Sequence, residues 1–180
     1  MRVEIIDVSA ENWDYLSDIL CGKCLYWQAP DLWKEQSLEA EELLDWKRRW
    51  METSQYFCPS HIKVAIVDGQ TAGYLFSASP GCFPLERFRY PFPPPQRDTL
   101  FICCLYVEPA WRRKGIGTQL LRALMKGARG GEYKCVETYA REDSENNPSG
   151  PVSFYLSSGF EIMETAEIEG KKFARVRKKI

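Results

Sequence analysis

Trp111-Arg112-Arg113-Lys114-Gly115-Ile116-Gly117-Thr118 is the stretch on which the fold turns. Ahead of it, Thr99 to Val107 is apolar throughout, as a central strand buried on both faces must be. Behind it, Gly117 to Ala128 repeats apolar residues at helical spacing. A strand, a tight turn and a helix start leave several backbone N–H groups without partners. The positive end of the helix dipole and three basic side chains converge on them. Two glycines let the backbone come close to a ligand. The combination reads as a cradle for a pyrophosphate.

Two common phosphate motifs are excluded. G-x-x-x-x-G-K-[ST] does not occur, and G-x-G-x-x-G fails because Leu120 stands where its third glycine belongs. What remains is R-x-x-G-x-G, carried by Arg112, Gly115 and Gly117, after a strand that ends Val107-Glu108-Pro109. Downstream stands Pro151-Val152-Ser153-Phe154-Tyr155-Leu156-Ser157-Ser158-Gly159-Phe160. The first motif resembles the acyl-CoA signature Q/R-x-x-G-x-G/A of the GNAT superfamily, and the second resembles that superfamily's F-Y-x-x-x-G-F segment. The resemblance runs from about Val64 to Ile180 and is only an outline before that.

That resemblance implies an α/β (α+β) fold: a mixed, mostly antiparallel central sheet of about seven strands, flanked by helices. It implies one domain over residues 1–180. Residues 1–60 would cover the acceptor site and residues 61–180 would form the cofactor-binding core. It also implies that acetyl-CoA is the cosubstrate, that the strand bearing the cofactor splays from its neighbour, and that the pantetheine arm pairs with Leu105, Tyr106 and Val107. Arg112, Arg113, Lys114, Gly115, Ile116, Gly117 and Thr118 would hold the pyrophosphate. Tyr155 matches the general acid that protonates the leaving thiolate; a core aromatic with an exposed hydroxyl is the plainer reading of the same residue. Phe154, pointing to another helix face, is the better core candidate of the two. Asn147 matches a cofactor-contacting asparagine only after a one-residue shift, since Pro148 holds the matching position; otherwise Asn146-Asn147-Pro148 is a turn.

The expected reaction is direct acetyl transfer to a primary amine of a small molecule or peptide. Transfer to a hydroxyl or thiol, and a non-catalytic acyl-CoA sensor, are the alternatives. A general base is not assigned. Glu108, Glu137 and Asp98 are the carboxylates near enough in sequence to be considered.

Bulk composition is that of an ordinary soluble domain. Of 180 residues, 44% are hydrophobic and 27% charged, with net charge −1, so no overall basic field points to nucleic acid. No apolar run reaches membrane-spanning length. Met1-Arg2-Val3-Glu4-Ile5-Ile6-Asp7 is too acidic for a signal peptide. The expected setting is the cytoplasm, with the chain a monomer or homodimer and its seven cysteines reduced. Cys21-x-x-Cys24 and Cys58-x-x-His61 would suit zinc as a Cys₃His sphere, but the separation is no recognised finger spacing. A redox pair at Cys21 and Cys24, or plain buried thiols, are the other readings, and no metal is expected.

Elsewhere, Val3 to Val8 reads as a strand, and Ser9 caps a helix from Ala10. Leu38 to Tyr56 is a second helix capped by Ser37. His61 to Val67 and Ala72 to Ala78 form a hairpin around Asp68-Gly69. Ser79 to Asp98 is a proline-rich loop, either a wall of the acceptor site or a surface wrap. Cys135 to Ala140 is a strand, and Gly159 to Ile168 pairs with Phe173 to Lys179 around Glu169-Gly170. Tyr26, Trp27, Trp33, Trp46 and Trp50 are candidates for an apolar acceptor pocket, with core packing the better account of Trp46 and Trp50.

Overall fold

A computed structural model describes residues 2–17, 19–54, 60–88, 90–142 and 149–180, apart from the side chains of residues 10, 60 and 61. Seven strands form one sheet: β1 (Val3–Asp7), β2 (Ser60–Val67), β3 (Gln70–Ala78), β4 (Thr99–Val107), β5 (Cys135–Arg141), β6 (Glu161–Ile168) and β7 (Lys171–Lys179). Their spatial order is β1-β2-β3-β4-β5-β7-β6. Every pairing is antiparallel except β4 with β5. The mixed, mostly antiparallel sheet expected from the sequence is therefore the fold.

Both hairpins turn where the sequence places them. Asp68 and Gly69 are left-handed (φ 50° and 78°), as are Glu169 and Gly170 (φ 51° and 73°). Two positive-φ residues in a two-residue loop match the twist of the strands they join.

Helices cover the two sheet faces. On one lies α4 (Ile116–Ala128), with Ile116, Leu120, Leu121, Leu124, Met125 and Ala128 buried. Burial of a large apolar side chain contributes about 1.5–3 kcal/mol, so packing, far more than its capping, fixes where α4 begins. The short α5 (Val152–Ser157) shares this layer. On the other face lie α1 (Leu20–Lys23), α2 (Pro30–Glu35) and α3 (Ala40–Ser54), joined by the aromatic residues of the proline-rich loop. Among the described residues that loop carries no strand, only 3-10 turns at Pro80–Cys82 and Leu85–Arg87.

The helix starts differ from expectation in two places. Ser9 does cap, closing a reciprocal box with Asn12, but the turn it starts at Ala10–Leu16 is a 3-10 helix kinked at Asn12. Ser37 does not cap the long helix. That helix starts at Ala40, where the Glu42 carboxylate accepts the Glu39 amide at 2.8 Å. An acidic side chain reaching back to an orphan amide does the same service as a serine cap. The expected end at Tyr56 lies outside the described residues.

Strand β4 breaks its alternation once. Leu100, Ile102 and Leu105 face α4, whereas Phe101, Cys103, Cys104 and Tyr106 all face the other layer. Two successive residues on one face mark a β-bulge. The register against β3 confirms it, passing from Phe76↔Cys104 to Ser77↔Ile102. A bulge bends its strand and sharpens its twist. Just before it, β4 stops pairing with β5: the parallel ladder covers only Thr99 to Phe101 against Cys135 to Glu137.

Beyond the bulge β4 depends on β3, and Gly73 permits the approach: a Cβ there would lie 2.6 Å from the Tyr106 carbonyl oxygen. Gly73→Ala is expected to lower stability by about 1–3 kcal/mol, read as a drop in the denaturation midpoint at unchanged slope.

Candidate functional site

The turn after β4 is assembled as its residue types demand. Val107 leads into a 3-10 turn, Pro109–Trp111, and Arg112 is extended (φ −64°, ψ 156°). Arg113 (φ 61°) and Gly115 (φ 80°) are left-handed, a conformation that suits glycine and costs other residues about 1–2 kcal/mol. The first backbone bond of α4 runs from the Gln119 amide to the Gly115 carbonyl, 3.1 Å. The amides of Ile116, Gly117 and Thr118 precede it, and no side chain caps the helix. Among the described residues the amides of Arg113, Lys114 and Gly115 donate to no backbone carbonyl. Six consecutive donors are thus available at the positive end of a 13-residue helix.

The basic side chains around these donors do unequal things. Arg112 Nε donates to the Val107 carbonyl at 2.9 Å, with its guanidinium 5.5 Å from the Tyr106 ring centre. It straps the turn to the strand end. Lys114 lies over Trp111, 4.6 Å from the ring centre. Arg113 and Lys114 are exposed, whereas the Ile116 side chain is buried, leaving only its amide for a ligand.

The gap beside β4 supplies a second set of backbone groups. The Glu108 amide donates to Ala72 at 2.9 Å, and the register runs Tyr106↔Tyr74. Alternation along an antiparallel strand then turns the backbone groups of Tyr106 toward β3 and those of Leu105 and Val107 toward β5. Of the three residues expected to meet a pantetheine arm, Leu105 and Val107 face the gap and Tyr106 does not. The Val107 carbonyl is already held by Arg112. At the closed end of the gap Thr138 Oγ1 donates to the Ile102 carbonyl at 2.9 Å, a side-chain bond where the ladder has ended.

Tyr155 stands at this gap. It is fully buried, and its hydroxyl donates to the Ser149 carbonyl at 2.5 Å. Thr138 of β5 stands within hydrogen-bonding reach of the phenol. Burial pushes its pKa well above the ordinary tyrosine value. The expectation that Phe154 is the core residue of the pair is reversed. Phe154 is half-buried, its ring 3.4 Å from where a Gly117 Cβ would stand, because α5 leans on the turn before α4. Gly150 (φ 77°) wraps the phenol, 3.7 Å from its oxygen at the ideal Cβ position.

On the far face of the sheet a cavity of about 360 Å³ opens beside Cys103 and Cys104, with Ser149 on its wall. Tyr26, Trp27 and Trp33 line it, as the aromatic segment suggests; Trp50 instead packs on Phe76 and Phe83. Trp46 is not among its lining residues. The proline-rich loop contributes Tyr90, so it is a wall of this cavity as well as a wrap. Sequence reading missed two polar members, Gln28 and Lys47, which sit in stretches that look like aromatic loop and surface helix.

Sequence reading also missed a groove of about 620 Å³ on the α4 side, lined by Thr118, Arg122, Lys126, Arg129 and Lys178. Its signal was present: Arg122, Lys126 and Arg129 recur at helical spacing with no acidic residue among them. Thr118 joins this groove to the turn.

The candidate bases are scattered. Glu137 is fully buried with one oxygen on Arg177 Nε at 2.5 Å, beside the paired end of β5. Asp98 pairs with Lys134 at 2.8 Å before β4 begins, and that bond holds its carboxyl below the usual range. Both lie at the end of β4 opposite the turn. Glu108 caps the 3-10 turn beyond Val107. Asn147 and Cys58 lie outside the described residues, as does the His61 side chain. Among the described residues no group of three or more His, Cys, Asp or Glu could hold a metal. Cys21 is a free, buried thiol whose pKa burial raises, the opposite of an activated redox cysteine. Cys103 and Cys104 are core residues, also pushed up by burial.

The sequence profile of the Acetyltransferase (GNAT) family matches residues 24–160. The chain belongs to that family, whose fold is that of acyl-CoA-binding acyltransferases. No curated relative matches it by sequence. Its backbone is similar to that of an N-acetyltransferase from Staphylococcus aureus Mu50 (TM-score 0.63, 20% identity, 99% of each chain covered). It is also similar to the PaiA N-acetyltransferase from Thermoplasma acidophilum, solved in complex with coenzyme A (0.59, 20%, 100% of each). A third is the ribosomal-protein-alanine N-acetyltransferase from Brucella melitensis (0.61, 21%, 98% of this chain and 99% of that one). At these identities the likeness establishes the fold. Among the described residues no helix is long and apolar enough to cross a membrane.

The residues present fit coenzyme A: a row of donors at the helix start, a strand edge facing a gap, and a basic groove continuing from Thr118. With the free amides before α4 as the donors, Gly117→Val should weaken coenzyme A binding by about tenfold or more, because its branches meet Phe154 and crowd the amides. Arg112→Ala, which removes a strap on Val107, should weaken it less. Calorimetric dissociation constants for the two variants check the order.

Proposed function

We propose that the chain is an N-acetyltransferase that moves the acetyl group of acetyl-CoA directly to a primary amine, with Tyr155 as the general acid. One observation carries the reading. β4 and β5 part after Phe101, on the stretch that leads to the donor-rich turn, and the Tyr155 hydroxyl donates to the carbonyl of Ser149, a residue that lines the aromatic cavity. A donor and an acceptor entering from opposite faces would meet there.

In this reading the amides of Arg113 to Thr118 hold the pyrophosphate, and Leu105 and Val107 hold the pantetheine amides by strand addition. The thioester supplies the acyl group. The amine nitrogen forms the new C–N bond as the C–S bond breaks. The Tyr155 proton passes from the phenol oxygen to the departing sulfur once the O–H turns from the Ser149 carbonyl, and the proton that the nitrogen sheds as it becomes an amide returns to the phenolate by way of solvent. The raised pKa keeps that proton in place at neutral pH, and a thiolate product, stronger as a base when shut away from water, is able to take it. The acceptor's own ammonium, at about pKa 10.4 for a lysine-type amine, loses its proton to solvent before attack. Asn147 and the basic groove are further contacts assigned to the cofactor, and a soluble monomer or homodimer in the cytoplasm completes the proposal.

A second reading has one observation in its favour. The phenol is engaged by a carbonyl and no carboxylate base stands in the gap among the described residues, which suits an acyl-CoA sensor. Tyr155→Phe separates the two. An enzyme should lose about a hundredfold or more in kcat, with coenzyme A affinity held within about twofold. A sensor binds acetyl-CoA and releases no thiol with either residue.

The pH profile gives an independent check. Because burial raises Tyr155, its protonated form persists above the ordinary tyrosine range. The wild-type rate should climb as the acceptor amine deprotonates and show no descending limb below about pH 10. A descending limb near neutrality would remove Tyr155 from the acid role.

A further inference from the structure

The cavity on the N-terminal face holds two polar groups that the protein does not use up. Gln28 is 7% exposed, and among the described residues neither its Nε2 nor its Oε1 has a hydrogen-bond partner. A buried amide without partners is costly and calls for an explanation. Lys47 is 2% exposed on α3, with its ammonium donating to the Cys21 and Cys24 carbonyls, each at 2.8 Å. An ammonium has three donors. Among the described residues the third meets only weak partners, the Cys21 sulfur at 3.9 Å and the face of the Phe76 ring, 5.0 Å to its centre. No carboxylate among the described residues pairs with Lys47, and the one carboxylate on the cavity wall, Glu169, belongs to the exposed hairpin turn between β6 and β7. Around these groups the wall is aromatic: Tyr26, Trp27, Trp33, Tyr74, Tyr90 and Phe173.

From this we infer that the acceptor is a small amine with an aromatic body and a carboxylate, of the aromatic α-amino acid class. The inference rests on the transferase reading and adds the substrate class. The carboxylate would face Lys47, whose buried positive charge is met, among the described residues, by two carbonyl dipoles and the Phe76 ring and by no full negative charge. The Gln28 amide offers one donor side and one acceptor side to the same polar end of the ligand. Aromatic walls take the ring, where flat faces pack well and exclude water. A polycation is disfavoured, because it would bring further positive charge against a buried ammonium with no acidic floor to receive it. The volume of about 360 Å³ lies at the lower end of small-molecule sites and suits a single amino acid.

The experiment uses matched probes on the full chain: phenylalanine, tyrosine and tryptophan against phenethylamine, tyramine and tryptamine, which lack only the carboxylate, with spermidine as the polycation. Binding is read by calorimetry and transfer by thiol release from acetyl-CoA. At least one amino acid should bind and react with a kcat/KM about tenfold or more above its decarboxylated partner, and spermidine should do neither. Lys47→Met should erase the preference within the pair. Gln28→Leu should raise KM for the amino acid, and coenzyme A affinity, unchanged in both variants, shows that they fold. Preference for the amines or for spermidine, no reaction with any amino acid while coenzyme A binds normally, or an unchanged ratio in Lys47→Met would each overturn the acceptor class. Loss of coenzyme A binding by the wild-type chain would instead overturn the transferase reading beneath it.

Discussion

The parting of β4 from β5 after Phe101 is the constraint on which the rest depends. A continuous parallel ladder would consume the backbone groups of Leu105 and Val107 and close the passage between the two faces. Three local features keep it open. The bulge at Cys103 and Cys104 bends β4 where pairing ends. Thr138 donates to Ile102 and stabilises the apex that the missing ladder would leave bare. On its other side β4 stays fully paired with β3, so the strand as a whole does not fray. An edge of this kind inside a sheet is normally a liability. Here it is short, running only from Ile102 to Val107.

The same parting explains where polar groups are tolerated. At the closed end of the sheet Glu137 is buried and answered by Arg177, a pair whose removal would leave an uncompensated charge. Along the open end, polar groups are left for something else to meet: the exposed amides before α4, the strand edge and, in the cavity, Gln28 and the third donor of Lys47. A fold held mainly by apolar layers on both sheet faces can carry such groups only in a few places.

Much of this was legible in the chain. β4 was readable to the residue because burial on both faces demands an unbroken apolar run, and the hairpins because Asp68-Gly69 and Glu169-Gly170 are turn residues with a mechanism. The turn before α4 was readable because glycines and a helix start make a backbone site whatever the surrounding sequence. Other features carried no such mark. The bulge leaves no trace in a run where every residue is apolar. The cap at Glu42 differs from a serine cap only in which residue reaches the orphan amide. The burial of Tyr155 above Phe154 depends on how α5 leans on Gly117, a tertiary fact. Lys47 sits in a helix otherwise rich in solvated charge, and nothing local distinguishes it from Arg48 or Arg49, which are exposed and paired with Glu52 and Asp45.

That contrast has a physical origin. A backbone cradle binds phosphates through groups that every residue possesses, so its sequence signature reduces to the positions where a side chain would obstruct. Its recognition from a handful of residues follows. The aromatic cavity is built from side chains supplied by α1, α3, the aromatic segment after α1, the proline-rich loop and the β6–β7 hairpin, and its shape lies in how they meet. No spacing rule connects Gln28 to Lys47 or either to Tyr90. The donor side of such a protein is therefore readable from local sequence, whereas the acceptor side becomes readable only once the chain has folded and its unsatisfied groups can be located.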